Sequence, residues 1–142
     1  MHFPILIGLA ALTLAIAPAQ ADYEKIAVLE VLDKITGHVF TLEAVIGLEV
    51  QFGRLRINPH RCYKAPPEQP PESVAFLEIR EIRPDQDALQ LFTGWMFASS
   101  PGLSTLEHPI YDVIVLDCYS PSGSTGPPPV TIEPLPSTVS HE

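Results

Sequence analysis

The sequence predicts an all-β domain of about six antiparallel strands, arranged as a small sandwich or partly open barrel. One short helical turn, one disulfide and a disordered C-terminal tail complete the expected fold. Three observations predict it. Apolar and polar residues alternate with period two in several short runs, the pattern of half-buried strands. Of sixteen prolines only Pro4 and Pro18 precede Asp22, and the others break up any long helix. Cys62 and Cys118 are the two cysteines of a chain that opens on an export signal, where two cysteines most simply form one bridge.

That signal is the first element. Phe3 to Ile16 is an almost unbroken apolar run, followed by Ala17-Pro18-Ala19-Gln20-Ala21. A hydrophobic core, a helix-breaking proline and a small-x-small site in this order predict cleavage after Ala21. The run is shorter than the roughly 20 apolar residues of a membrane span, so no stable span is expected after cleavage. Retention as an uncleaved anchor is the alternative. The expected organisation is a signal peptide over 1–21, a β domain over 22–118 and a Pro/Ser/Gly-rich tail over 119–142.

Residues 1–21 contain none of the seventeen acids or eight Lys and Arg residues, so the mature part carries the whole net charge of −9. Such a chain is poorly suited to nucleic acid, whose binding depends on neutralising phosphates. Anionic lipid headgroups likewise offer it no electrostatic attraction.

Ile26 to Leu32 is the first expected strand and runs into the turn signal Asp33-Lys34-Ile35-Thr36-Gly37. Val39 to Val45 alternates cleanly and forms the second. Leu48 to Ile57 forms the third, with a phase change at Gly53 that predicts a bulge or sharp bend. These three are expected to make an antiparallel meander. Asn58 to Pro71 reads as irregular because of Pro59 and the two Pro-Pro pairs. Val74 to Ile82 alternates, Pro84-Asp85-Gln86-Asp87 reads as a hairpin loop, and Leu89 to Phe97 returns, with Gly94 marking a kink. Ser100-Pro101 resembles a helix start, predicting a short helical turn through Leu106 that Pro109 stops. Ile110 to Cys118 is the last strand. From Tyr119 onward the composition turns to Ser, Gly, Pro and Thr, which bury too little surface to offset the entropy of ordering.

A Cys62–Cys118 bridge closes a loop large enough to contribute about 4 kcal/mol in the chain-entropy model. No C-x-x-C is present, so its expected role is structural. No zinc-type spacing joins the cysteines and histidines, and no metal or other cofactor is expected. Ser99, Ser100, His108 and Asp112 supply the residue types of a nucleophilic triad. They lack the G-x-S-x-G signature, and capping by Ser100 and a turn at His108-Pro109 explain the same residues. No catalytic residue is assigned.

Two clusters are candidate binding sites. Arg54, Arg56, Arg61 and Lys64 are half of all Lys and Arg residues. Arg54 and Arg56 are placed on one strand face, where guanidinium forks suit carboxylate or phosphate oxygens. They either pair with acids of neighbouring strands or form a small anion-recognition patch. The second cluster is Trp95, Met96 and Phe97. Trp95 and Phe97 must face opposite to Met96 in a strand. The expected arrangement puts the pair in the core and Met96 under the Ser100–Leu106 turn. The alternative is that one set lines an apolar groove beside that turn, suited to a peptide or acyl chain.

Several motifs carry a resemblance: Phe52-Gly53-Arg54-Leu55, Cys62 with Pro66-Pro67-Glu68, and Ala75-Phe76-Leu77-Glu78. The longest is Gly94-Trp95-Met96-Phe97-Ala98-Ser99-Ser100-Pro101 with Leu106-Glu107-His108-Pro109, followed by Tyr111-Asp112-Val113 and Cys118. From about Val28 to Cys118 the chain resembles an exported alphaproteobacterial domain-of-unknown-function family, number 2155. The resemblance implies a periplasmic protein of Gram-negative bacteria and brings no activity with it. The expected function is a non-catalytic periplasmic binding or scaffolding module of the cell envelope, its partner an envelope protein or polymer. The alternatives are an inhibitor of an envelope hydrolase, or an enzyme with no recognisable motif.

Overall fold

A computed structural model describes residues 22–121. The signal peptide expected over 1–21 and the tail beyond residue 121 lie outside the described residues. Seven strands form two antiparallel sheets: β1 (Ile26–Asp33), β2 (Val39–Val45), β3 (Val50–Phe52), β4 (Leu55–Lys64), β5 (Ser73–Glu81), β6 (Leu89–Phe97) and β7 (Tyr111–Tyr119). One sheet has the order β2-β1-β7 and the other β3-β4-β5-β6. The fold is all-β as expected, with seven strands rather than about six and the sandwich rather than the partly open barrel, and it is tied by Cys62–Cys118 with a Cα separation of 5.6 Å.

Three expectations about the chain path are corrected and a fourth, at Gly53, is narrowed. The first three segments are no meander, because the chain leaves β2 and enters the other sheet at β3. Of the bulge and the sharp bend expected at Gly53 the structure has the bend, a hairpin turn across which Phe52 pairs with Leu55. The glycine's φ of 54° lies in the left-handed region, and a Cβ there would stand 2.5 Å from the Tyr111 hydroxyl. Asn58 to Lys64 is strand, not loop. Pro59 is tolerated because β3 has already ended and β4 is bulged immediately beyond it. Tyr119, assigned to the tail, pairs with Ile26 and closes β7.

Inward-facing residues of the two sheets meet in one core. Leu29, Val31, Leu42, Val113 and Val115 come from the first sheet, and Leu55, Ile57, Leu77, Ile79 and Met96 from the second. Burying a side chain of this size stabilises the fold by about 1.5–3 kcal/mol. Strand parity then presents a difficulty. Pro59 and Cys62 are both buried, as are Val115 and Cys118, yet each pair is separated by three positions. A regular strand would turn the second member outward. In each strand a bulge restores the phase. The β4–β5 register shifts between Pro59 and Arg61, and the β7–β1 register skips Leu116. The extra residues, His60 and Leu116, stay on the surface while both cysteines turn inward and meet between the sheets.

β6 reverses the expected placement of the aromatic cluster. Met96 opposes Ala75 and is buried, whereas Trp95 opposes Phe76 on the outer face and is 36 % exposed. The register irregularity of this strand lies near Leu91 rather than at Gly94. Gly94 instead leaves room for the Phe92 ring, which would lie 3.4 Å from a Cβ there. The expected helical turn shrinks to a single 3-10 turn, Pro101–Leu103, and the Ser100 side chain makes no capping bond.

Candidate functional site

The two ends of the sandwich differ in kind. At one end β5 finishes at Glu81 and β7 begins at Tyr111. His108 is buried there, its ring stacked on Tyr111 with centroids 5.5 Å apart. Its Nδ1 accepts the backbone N–H groups of Ile110 and Tyr111 at 3.2 and 3.1 Å. The proton therefore sits on Nε2, which lies 3.6 Å from Glu81 Oε1, and Arg54 pairs with the same carboxylate at 3.1 Å. An imidazole with Nδ1 committed twice to the backbone has no basic nitrogen to offer a substrate. The other triad-type residues are elsewhere engaged: Ser99 bonds Glu72, and the Asp112 carboxylate accepts its neighbour Val113 N–H.

At the other end, beside the disulfide, lies a groove of about 1070 Å³. Three pieces of chain frame it. The proline loop closes through Ala65 N–H donating to Glu72 O at 2.8 Å, with a turn in which Gln69 N–H reaches Pro66 O at 3.0 Å. The segment before β1 is held where Glu24 N–H donates to Cys62 O at 2.7 Å and Tyr23 bridges Tyr63. The third side is β7, whose bulge residue Leu116 is 40 % exposed and lines the groove with Asp117. Tyr63, Ala65, Ala98 and the rings of Pro66, Pro67 and Pro71 supply the rest of its apolar surface.

Five of its polar side chains, Lys64, Glu72, Ser73, Ser99 and Asp117, are held in hydrogen bonds along the wall. Asp117 accepts from Lys64 Nζ at 2.8 Å, Ser73 Oγ at 2.9 Å and Cys118 N–H at 2.8 Å. Burial works to raise the Asp117 pKa, but these bonds and the Lys64 charge outweigh it, so the carboxyl titrates below its ordinary value. Glu72 receives the Ser99 hydroxyl, and its Oε1 receives the N–H groups of Ser73 and Ser99 at 3.0 and 3.1 Å. The Ser99 hydroxyl bond is the chief cause lowering its pKa; burial opposes it, and the backbone donors add to it. Both groups are carboxylates at neutral pH and fasten the loop, β5 and β7 together.

The basic residues do not form one patch. Arg54 and Lys64 stand at opposite ends of the molecule, bound to Glu81 and Asp117. Arg56 faces Glu49 at 3.9 Å and bonds Gln51. Arg61 lies over the Tyr23 ring, 5.3 Å from its centroid. Nor do Trp95, Met96 and Phe97 line the groove; the next two residues, Ala98 and Ser99, do. Sequence reasoning missed Leu116, Asp117, Glu72 and Tyr63 as site residues. The odd offset of each cysteine from its buried neighbour was the available signal for Leu116.

The fold and this site define a disulfide-tied β-sandwich with a preformed apolar groove at one end and a locked polar cluster at the other. The chain belongs to the family described as "Uncharacterized protein conserved in bacteria (DUF2155)", whose model matches residues 27–118. A curated relative, the uncharacterized protein RP359 of Rickettsia prowazekii (strain Madrid E), is 38 % identical over 88 residues. That match takes in 62 % of this chain and 57 % of the relative, so the chain spans little more than half the relative's length. No solved structure matches the chain.

Proposed function

We propose that the protein is a non-catalytic binding or scaffolding module of the bacterial cell envelope, exported to the periplasm, which holds a segment of a partner in the groove beside the disulfide. The observation that carries this reading is the groove itself: a concave apolar surface on whose wall Lys64, Ser73 and Asp117, and likewise Glu72 and Ser99, satisfy one another. Satisfied carboxylates and hydroxyls position a wall; they do not attack a bond. Export is supported by the disulfide, which persists in oxidising compartments, and by the leader-like residues 1–21. Among the described residues no helix is long and apolar enough to cross a membrane.

A photoreactive amino acid placed at Leu116, and at the exposed Ile35 as a control, tests the reading in living cells. A discrete adduct with an envelope component is expected from Leu116 and not from Ile35. Equal labelling from both positions, or none from Leu116, removes the groove as a binding site.

A further inference from the structure

The groove joins an apolar surface to an acidic rim, and the two together select an occupant. Resting on the reading of the protein as a binding module, we propose that the groove takes an extended segment of a partner protein in which leucine or proline is flanked by lysine or arginine. Leu116 offers an exposed apolar side chain, and Pro66, Pro67 and Pro71 form rigid apolar contacts that lose little side-chain freedom when a ligand arrives. Around them stand the carboxylates of Asp22, Glu24, Glu72 and Asp117 and the Lys64 ammonium, which is committed to Asp117. The α-amino group that cleavage after Ala21 leaves on Asp22 offsets one of these charges, and the rim keeps a negative excess. Asp22 and Glu24 make no ion pair among the described residues. The rim therefore presents uncompensated negative charge to whatever enters, which attracts a cationic segment and repels an anionic one.

The same charges argue against other occupants. A second copy of the chain brings a net charge of −9. The chain's own residues 122–142 follow closely after Ser120, whose hydroxyl accepts Lys25 N–H at 3.1 Å. They include Glu133 and Glu142 but neither lysine nor arginine. Anionic envelope polymers meet the same repulsion.

End-blocked pentapeptides KPLPK and EPLPE, titrated by calorimetry into the oxidised exported chain with its tail intact, test the proposal. KPLPK is expected to bind and EPLPE not. The affinity for KPLPK should fall about tenfold in Asp22→Lys and again in Glu24→Lys, and should weaken as salt rises. Leu116→Ser, which removes the apolar contact without changing charge, is expected to abolish binding independently of the rim. An intact disulfide by mass and an unchanged near-ultraviolet dichroism spectrum establish that each variant is folded. Equal binding of both peptides, or KPLPK binding unchanged in the rim variants, overturns the cationic occupant while leaving the groove a binding site. Failure of both peptides while the Leu116 crosslink captures an envelope component overturns the peptide chemistry but not the binding module. Loss of both signals overturns the two readings together. A Leu116 crosslink to residues 122–142 of the same chain overturns the partner in trans.

Discussion

Met96, 2 % exposed, lies between the sheets, while its neighbour Trp95 stands on the outer face against Phe76, with ring centroids 5.4 Å apart. Replacing Met96 by alanine leaves a cavity in the core and is expected to cost about 2–5 kcal/mol. Trp95→Ala removes an edge-to-face contact and some area, and about 1–2 kcal/mol is expected. Urea melts of the two variants check the order; a larger loss at Trp95 contradicts the observed facing of β6. The facing was not legible in Leu89 to Phe97, where apolar residues occupy both parities. It is set by Leu77 across the ladder, which opposes a glycine, and by Ala75, which opposes Met96. Ser100 shows the same limit. Its position before proline is a proper capping sequence, yet the turn that follows is too short to use the hydroxyl.

At the scale of elements the two bulges matter most, because they turn both cysteines inward. Deleting Leu116 restores the regular alternation of β7 and points Cys118 to the outer face; deleting His60 does the same to Cys62. Each single deletion is expected to leave two reduced thiols in protein exported to an oxidising compartment, detected by alkylation and mass spectrometry. Full oxidation in both would show that the bulges do not govern the bridge. Substituting rather than deleting, as in His60→Ala, keeps the residue count and is expected to keep the bridge. Strand existence was legible in most of these elements, since alternation is a property of consecutive residues. The hairpin at Gly53 and the strand through Pro59 were not. A left-handed glycine serves a bulge or a turn equally well, and a proline is excluded from a strand only where a partner needs its N–H.

Over the whole molecule, the bridge and the carboxylate network at the groove hold the same end of the sandwich, one covalently and one by charge. Asp117 and Glu72 both have folded pKa values below their ordinary values of 3.8 and 4.5. A depressed carboxylate contributes stability that is complete above the unfolded pKa and is lost as pH falls through the folded one. Denaturant midpoints should therefore hold steady from neutral pH down to about pH 5 and fall below about pH 4. Ser99→Ala and Ser73→Ala, which remove donors to these carboxylates, should flatten that decline; an unchanged acid limb in both assigns it to other groups. The sequence by itself determined the all-β class, the positions of most strands, the bridge and the family, because alternation, proline density, cysteine number and contiguous motifs are all read along the chain. Only the tertiary structure decided which sheet β3 joined, which face of β6 met the core, and how Arg54 and Lys64 came to opposite ends. It alone brought the proline loop, residues 22–24 and Leu116 to the walls of one groove. Those outcomes depend on register between strands distant in sequence, where a shift of one residue exchanges the two faces of a sheet, and no local pattern carries that parity.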